Sequence, residues 1–278
     1  MKKITALMLS SAMMLSLAAC GGSASTDAVS SEAVSSEAAS SEAVSTAEAA
    51  PAALTTVTAG KLTMSTNAAF PPYEMTTDSG EFEGIDIDVA AAIAEKLGLE
   101  LQVDDMDFDA ALLAAQNGKS DMVMAGVTVT EERQAVMDFS NSYANGVQVV
   151  IVKEGSDVTL DNLGEKMIGT QRGTTGYIYT SDDYGDDHVT AYDNGASAVQ
   201  ALQNGQVDCV VIDAAPAEAY VEANPGLTIL DTEYVTENYA IGVNKDNAAL
   251  LDAINGALAE LTADGTLDAI VGKYITAE

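Results

Sequence analysis

Arg133, Asp213 and a Gly/Thr turn are the residues with the clearest chemistry in this sequence. Arg133 closes the run Ala125-Gly126-Val127-Thr128-Val129-Thr130-Glu131-Glu132-Arg133. That run reads as the end of a buried strand over residues 121–125, a turn, and a helix capped by Thr130. Glu131 and Glu132 then fall in the first helical turn, where acids suit the dipole. A cation there opposes the dipole. Three residues past the cap, Arg133 can instead fold back over the loop where Gly126 and Thr128 expose backbone and hydroxyl groups. A planar, permanently charged guanidinium placed so is a forked receptor for a carboxylate. Surface pairing with Glu131 or Glu132 is the competing role. Asp213 ends the apolar run 207–212 and suits either an ammonium group or a helix cap. Gln171-Arg172-Gly173-Thr174-Thr175-Gly176 lies between a strand and a helix, where N–H groups and hydroxyls can face an anion. Phe70, in a loop stiffened by Pro71 and Pro72, suits an aromatic platform or core packing.

Other constellations fail on spacing. Gly118-Lys119-Ser120 lacks the glycine five residues earlier that a phosphate loop needs, since Leu113 stands there. Asp86 and Asp88 open a helix and have no third carboxylate or histidine at ligand spacing, so they read as structural and no metal or other cofactor is expected. Cys209 lies in an apolar strand with no disulfide partner or zinc-type cluster, and His188 has neither a nucleophile nor a metal partner. A net charge of −32 argues against nucleic acid and anionic lipid as partners, because both select basic surface.

The elements that must position these groups occupy the later four-fifths of the 278 residues. Met1-Lys2-Lys3 followed by an apolar stretch reads as a signal peptide over 1–20, ending Leu17-Ala18-Ala19-Cys20 like a lipobox whose cysteine takes lipid. Acyl chains on Cys20 would hold the protein at a membrane surface, each buried CH₂ adding about 0.8 kcal/mol. Residues 21–59 are a Ser/Ala/Glu tract with pentads repeated almost verbatim at 30–34, 35–39 and 40–44. With too little apolar surface to order itself, the tract reads as a tether. A tether of this length suits a cell wall to be crossed, hence a Gram-positive source. Beyond it, strand and helix patterns alternate. Val89, Ile93 and Leu97 give one apolar helix face with Gly98 as the stop, and β-rich runs at 142–152 and 239–243 leave and re-enter the first α/β series. The end, from 250 to 274, reads as two amphipathic helices around Asp264-Gly265.

Five segments carry a resemblance: Thr66-Asn-Ala-Ala-Phe-Pro-Pro-Tyr-Glu74, Gly84-Ile-Asp-Ile-Asp-Val89, the run 125–133, Gly173-Thr-Thr175 and Asp264-Gly-Thr266. In this order they resemble the bacterial extracellular solute-binding proteins of family 3, the polar amino-acid receptors of ABC importers. The resemblance implies an α/β, type II periplasmic-binding-protein fold with two lobes joined by a two-strand hinge. Lobe 1 would be 60–142 and 240–278, lobe 2 would be 147–235, and the hinge 143–146 and 236–239. It implies that Arg133 holds the ligand α-carboxylate with Thr128 and Thr175, and that Asp213 and the Gly126 carbonyl take the α-ammonium. Phe70 and Phe108 would sandwich the side chain, and Asn67 and Gln171 would meet its distal end. The implied function is the substrate-binding component of an ABC importer, a monomer that is no enzyme and partners a permease and an ATPase. A secreted dehydratase-like enzyme and an amino-acid-sensing or adhesion lipoprotein are the alternatives on the same fold. Relatives selecting cationic amino acids carry an acid where Asn67 stands, so glutamine or another neutral polar amino acid comes first, then glutamate or aspartate, with cystine also possible. Buried charges are costly unless paired, so the cleft is expected to stay open until a ligand pairs them.

Overall fold

A computed structural model describes residues 54–275, apart from residue 232. The signal peptide, Cys20 and the tether up to 53 lie outside the described residues.

The first lobe is a five-stranded sheet. Strand β1 (Lys61–Thr66) runs parallel to both β5 (Glu100–Asp105) and β6 (Met122–Val123), and β14 (Gly242–Val243) joins β6 antiparallel to β7 (Asp138–Phe139). A small meander of β2 (Ala69–Phe70), β3 (Glu74–Thr76) and β4 (Phe82–Glu83) lies beside it. The lobe's helices are α1 (Ile85–Leu97), α2 (Phe108–Gln116), α3 (Glu131–Val136), α7 (Ala248–Ala263) and α8 (Thr266–Tyr274). Helix α1 forms as its pattern predicts. Val89 and Ile93 are fully buried, and Gly98 (φ 68°) turns its N–H back onto the last carbonyls. Burying a side chain such as Ile93 contributes about 1.5–3 kcal/mol.

The second lobe is a six-stranded sheet. Its order is β10 (Val189–Tyr192), β9 (Ile168–Gln171), β11 (Cys209–Asp213), β8 (Ala144–Lys153), β12 (Leu227–Ile229), with β13 (Val235–Tyr239) also pairing β8. Helices α4 (Thr175–Tyr184), α5 (Gly195–Gln203) and α6 (Ala214–Ala223) pack on it. Every residue of β11 is buried, as a strand covered on both faces requires, and Cys209 is a free core thiol. The chain passes between lobes on β8 and β13, which are antiparallel from Val235↔Gln148 to Tyr239↔Ala144.

Three expectations are corrected. The strand at 121–125 is only Met122–Val123, and Asp121 gives its carboxylate to the Thr63 N–H and hydroxyl and to the Val57 N–H. Those bonds, with Asn247 Nδ2 donating to the Thr55 carbonyl, place residues 55–57 in the first lobe, so the tether ends before 59. Helix α4 begins at Thr175, inside the 171–176 stretch expected to precede it, because the Thr174 side chain caps it by accepting from the Tyr177 N–H. Among the described residues no helix is long and apolar enough to cross a membrane.

Candidate ligand-binding cleft

The C-terminal ends of β1, β6, β9 and β11 converge where the lobes meet, with Asn67, Gly126, Gln171 and Asp213 at or just beyond them and Phe70, Phe108 and Arg133 supplied by β2, α2 and α3. Asn67, Phe70, Phe108, Gly126, Thr128, Arg133, Gln171, Thr175 and Asp213 all line one pocket. In an open α/β sheet this is where ligands bind.

Arg133 owes its position to a short helix. Thr130 accepts from the Arg133 N–H at 3.2 Å, which fixes the first turn and turns the side chain inward. Arg133 is 8 % exposed; its guanidinium sits 5.5 Å from the Phe108 ring centroid and donates to the Thr128 carbonyl at 2.8 Å. Its other terminal nitrogen crosses to the second lobe and donates to the Gly173 carbonyl at 3.1 Å. Glu131 and Glu132 stay exposed, so surface pairing is not its role. Desolvation pulls its pKa down, opposed by Glu237 and other acids, and a guanidinium stays charged regardless.

Asp213 is not a helix cap. It occupies the N-cap position of α6, yet its side chain caps nothing. Instead the buried carboxylate accepts from Gln148 Nε2 at 2.7 Å and from the Tyr239 hydroxyl. Burial and the neighbouring Glu237 push its pKa up to about 7. On the anion side, α4 points its N-terminus at the pocket, with Thr175 buried in its first turn. The first N–H groups of a helix have no intrahelical acceptor and are free for an anion.

The two lobes are closed on each other. Gln171 Nε2 donates across the cleft to Asn67 Oδ1 at 3.0 Å, while Asn67 Nδ2 holds the Met106 carbonyl at 2.9 Å. The cavity left is about 20 Å³, room for about one water. In this closed arrangement the Thr128 and Gly173 carbonyls meet Arg133, and the Gln148 amide and the Tyr239 phenol meet Asp213. Phe70 stacks on Tyr73 (centroids 5.8 Å apart, rings inclined 24°), and its ring edge comes so close to Gly126 that no side chain fits there.

Sequence reasoning missed several participants. Glu74, Ala125 and Thr174 also line the pocket. Gln148, Glu237 and Tyr239 support it from the interlobe strands, Gln148 Nε2 also reaching Glu237 Oε2 at 2.9 Å. Glu74 ends the Pro-Pro-Tyr-Glu loop, but nothing in that string shows that the carboxyl is completely buried. Asp86, read as structural, accepts from the Gly126 N–H and the Tyr143 hydroxyl.

Two α/β lobes, two connecting strands and a cation opposed to an acid in the cleft define a solute-binding protein of the type II periplasmic-binding fold. Residues 62–277 match the family described as bacterial extracellular solute-binding proteins, family 3, and the chain belongs to that family. A probable histidine-binding protein of Neisseria gonorrhoeae is 33 % identical over 222 residues, covering 77 % of this chain and 83 % of that protein. The ABC transporter arginine-binding protein 1 of Escherichia coli K12 is 32 % identical, covering 78 % and 91 %. Among solved structures, an ancestral arginine-binding protein bound to glutamine superposes with a TM-score of 0.75 at 41 % identity, covering 78 % of this chain and 99 % of that one.

Proposed function

We propose that this protein captures a polar amino acid between its lobes and delivers it to the permease of an ABC importer. The observation that carries this is the enclosure of Arg133 and Asp213 in one cleft, each contributed by a different lobe. A free amino acid has one carboxylate and one ammonium at fixed separation, so one immobile cation and one immobile anion select it. Arg133, Thr128 and the α4 N-terminus with Thr175 take the carboxylate. Asp213 and the Gly126 carbonyl take the ammonium. Phe70 and Phe108 flank the side chain, and its tip meets Asn67 and Gln171. The relatives named above, called histidine-binding and arginine-binding, and the ancestral protein bound to glutamine support an amino-acid ligand.

With an amide pair at the distal end, a neutral polar amino acid such as glutamine is the first candidate, followed by glutamate or aspartate. Entry requires the lobes to part, because a cavity of about 20 Å³ holds no amino acid. The ligand then replaces the Arg133–Gly173 and Gln171–Asn67 bonds with its own, and favours closure by no more than its differential affinity for the two states. The hinge lies at 143–146 and 236–239. The mature protein is a monomer, held by lipid on Cys20 at the outer face of a Gram-positive cell membrane, with the Ser/Ala/Glu tract as tether. A thermal-shift screen over the twenty amino acids tests this: a ligand that binds only the native state raises the melting temperature. No shift with any of them overturns the proposal.

A further inference from the structure

Among the described residues, three of the buried side-chain oxygens without a partner belong to two neighbouring carboxyl groups: both oxygens of Glu74 and Oδ1 of Asp86. Both residues are completely buried, and the Asp86 N–H donates to the Tyr73 carbonyl at 2.8 Å, which sets the two carboxyls beside each other. Among the described residues no cation bears on either carboxyl. The groups that bear on Glu74 are Asp86 on α1, Asp105 at the end of β5 and Asp213 at the end of β11, and the phenols of Tyr73, Tyr143 and Tyr220 lie around them. Two ionised carboxylates in contact here would repel each other without solvent to screen them. One proton between them removes the repulsion and satisfies an oxygen on each. Asp86 Oδ2 is already an acceptor twice over, from the Gly126 N–H at 2.9 Å and the Tyr143 hydroxyl at 2.8 Å. Those bonds favour the charged form of Asp86, so the proton belongs on Glu74.

We propose that Glu74 is a neutral carboxylic acid donating to Asp86 Oδ1, and that the pair is a positioning device for the cleft. It ties the Phe70–Glu74 wall, the Gly126 loop and Tyr143 at the foot of the interlobe strand into one hydrogen-bonded unit. Burial and the adjacent Asp86 charge hold Glu74 well above the usual carboxylate range. Glu74 thus lines the cleft without presenting a negative charge, which suits a ligand with an uncharged tip.

Infrared spectroscopy of the full chain tests the proton directly. At pH 8, where Asp213 is ionised, wild type should show a protonated-carboxyl C=O stretch that Glu74→Gln lacks. Absence of that band from wild type, or its persistence in Glu74→Gln, overturns the assignment. This arm needs no ligand, so it stands apart from the amino-acid reading, on which the second arm rests. Glutamine keeps a donor for Asp86, so Glu74→Gln should bind the amino acid found in the thermal-shift screen within about threefold of wild type at pH 7, whereas Glu74→Leu, with no donor, should bind about tenfold more weakly or worse. As pH rises through the range in which the protonated-carboxyl band fades, wild-type affinity should fall relative to Glu74→Gln. Parallel pH profiles for the two overturn the positioning role, whether or not Glu74→Leu folds.

Discussion

Arg133 donates to the Gly173 carbonyl at 3.1 Å across the boundary between the lobes. In the proposed function Arg133 takes the ligand carboxylate, and capture would then exchange this neutral carbonyl acceptor for a charged one. Charge-assisted hydrogen bonds are roughly twice as strong as neutral ones, so the exchange favours the ligand.

Arg133→Ala should cost about 2–5 kcal/mol of amino-acid affinity, since it leaves the ligand carboxylate buried and unpaired. Arg133→Lys should recover only part of this, because an ammonium cannot fork to a carboxylate and also reach Thr128. Isothermal calorimetry gives both numbers, and affinity within about threefold of wild type for the alanine variant would remove Arg133 from the site.

Asp213 should make binding acid-sensitive. With its pKa near 7, about nine-tenths of it is protonated at pH 6, so affinity for an ammonium ligand should fall about tenfold between pH 8 and pH 6. Asp213→Asn should be weak at both pH values and nearly flat. For the fold alone the sign reverses. A carboxyl whose pKa rises from 3.8 to about 7 on folding contributes stability that is complete below 3.8 and is lost as pH rises through 7. The melting temperature of unliganded Asp213→Asn should therefore exceed wild type most clearly above pH 7. A pH series of melting scans checks it.

Gly126→Ala should destabilise the fold by about 1–3 kcal/mol, since φ is 55° and a Cβ would meet the Phe70 ring at 2.8 Å. Urea unfolding monitors the loss, and a midpoint equal to wild type would show that Phe70 yields freely.

Asn67→Asp should shift ligand choice. A carboxylate at this 8 % exposed position loses the bond to the Met106 carbonyl and lacks a counter-charge until a cationic side chain supplies one. The thermal-shift order should move towards arginine and lysine. An unchanged order would place the ligand's tip elsewhere.

Much of this was legible in the sequence because it is local. The α1 face, the Gly98 stop and the Thr130 cap depend on residues within a turn or two of each other, so spacing alone fixes them. The family resemblance singled out nine residues that share one pocket. What the residues alone left open, arginine as receptor or surface pair and Asp213 as ammonium partner or cap, turned on burial and on partners far along the chain. Asp213 finds its donors at Gln148, 65 residues away, and at Tyr239, and Arg133 finds Gly173 40 residues on. The buried Glu74–Asp86 pair and the closed cleft belong wholly to the tertiary level. A carboxyl's protonation and a lobe's closure depend on which groups the fold removes from water together, and no single stretch of chain records that.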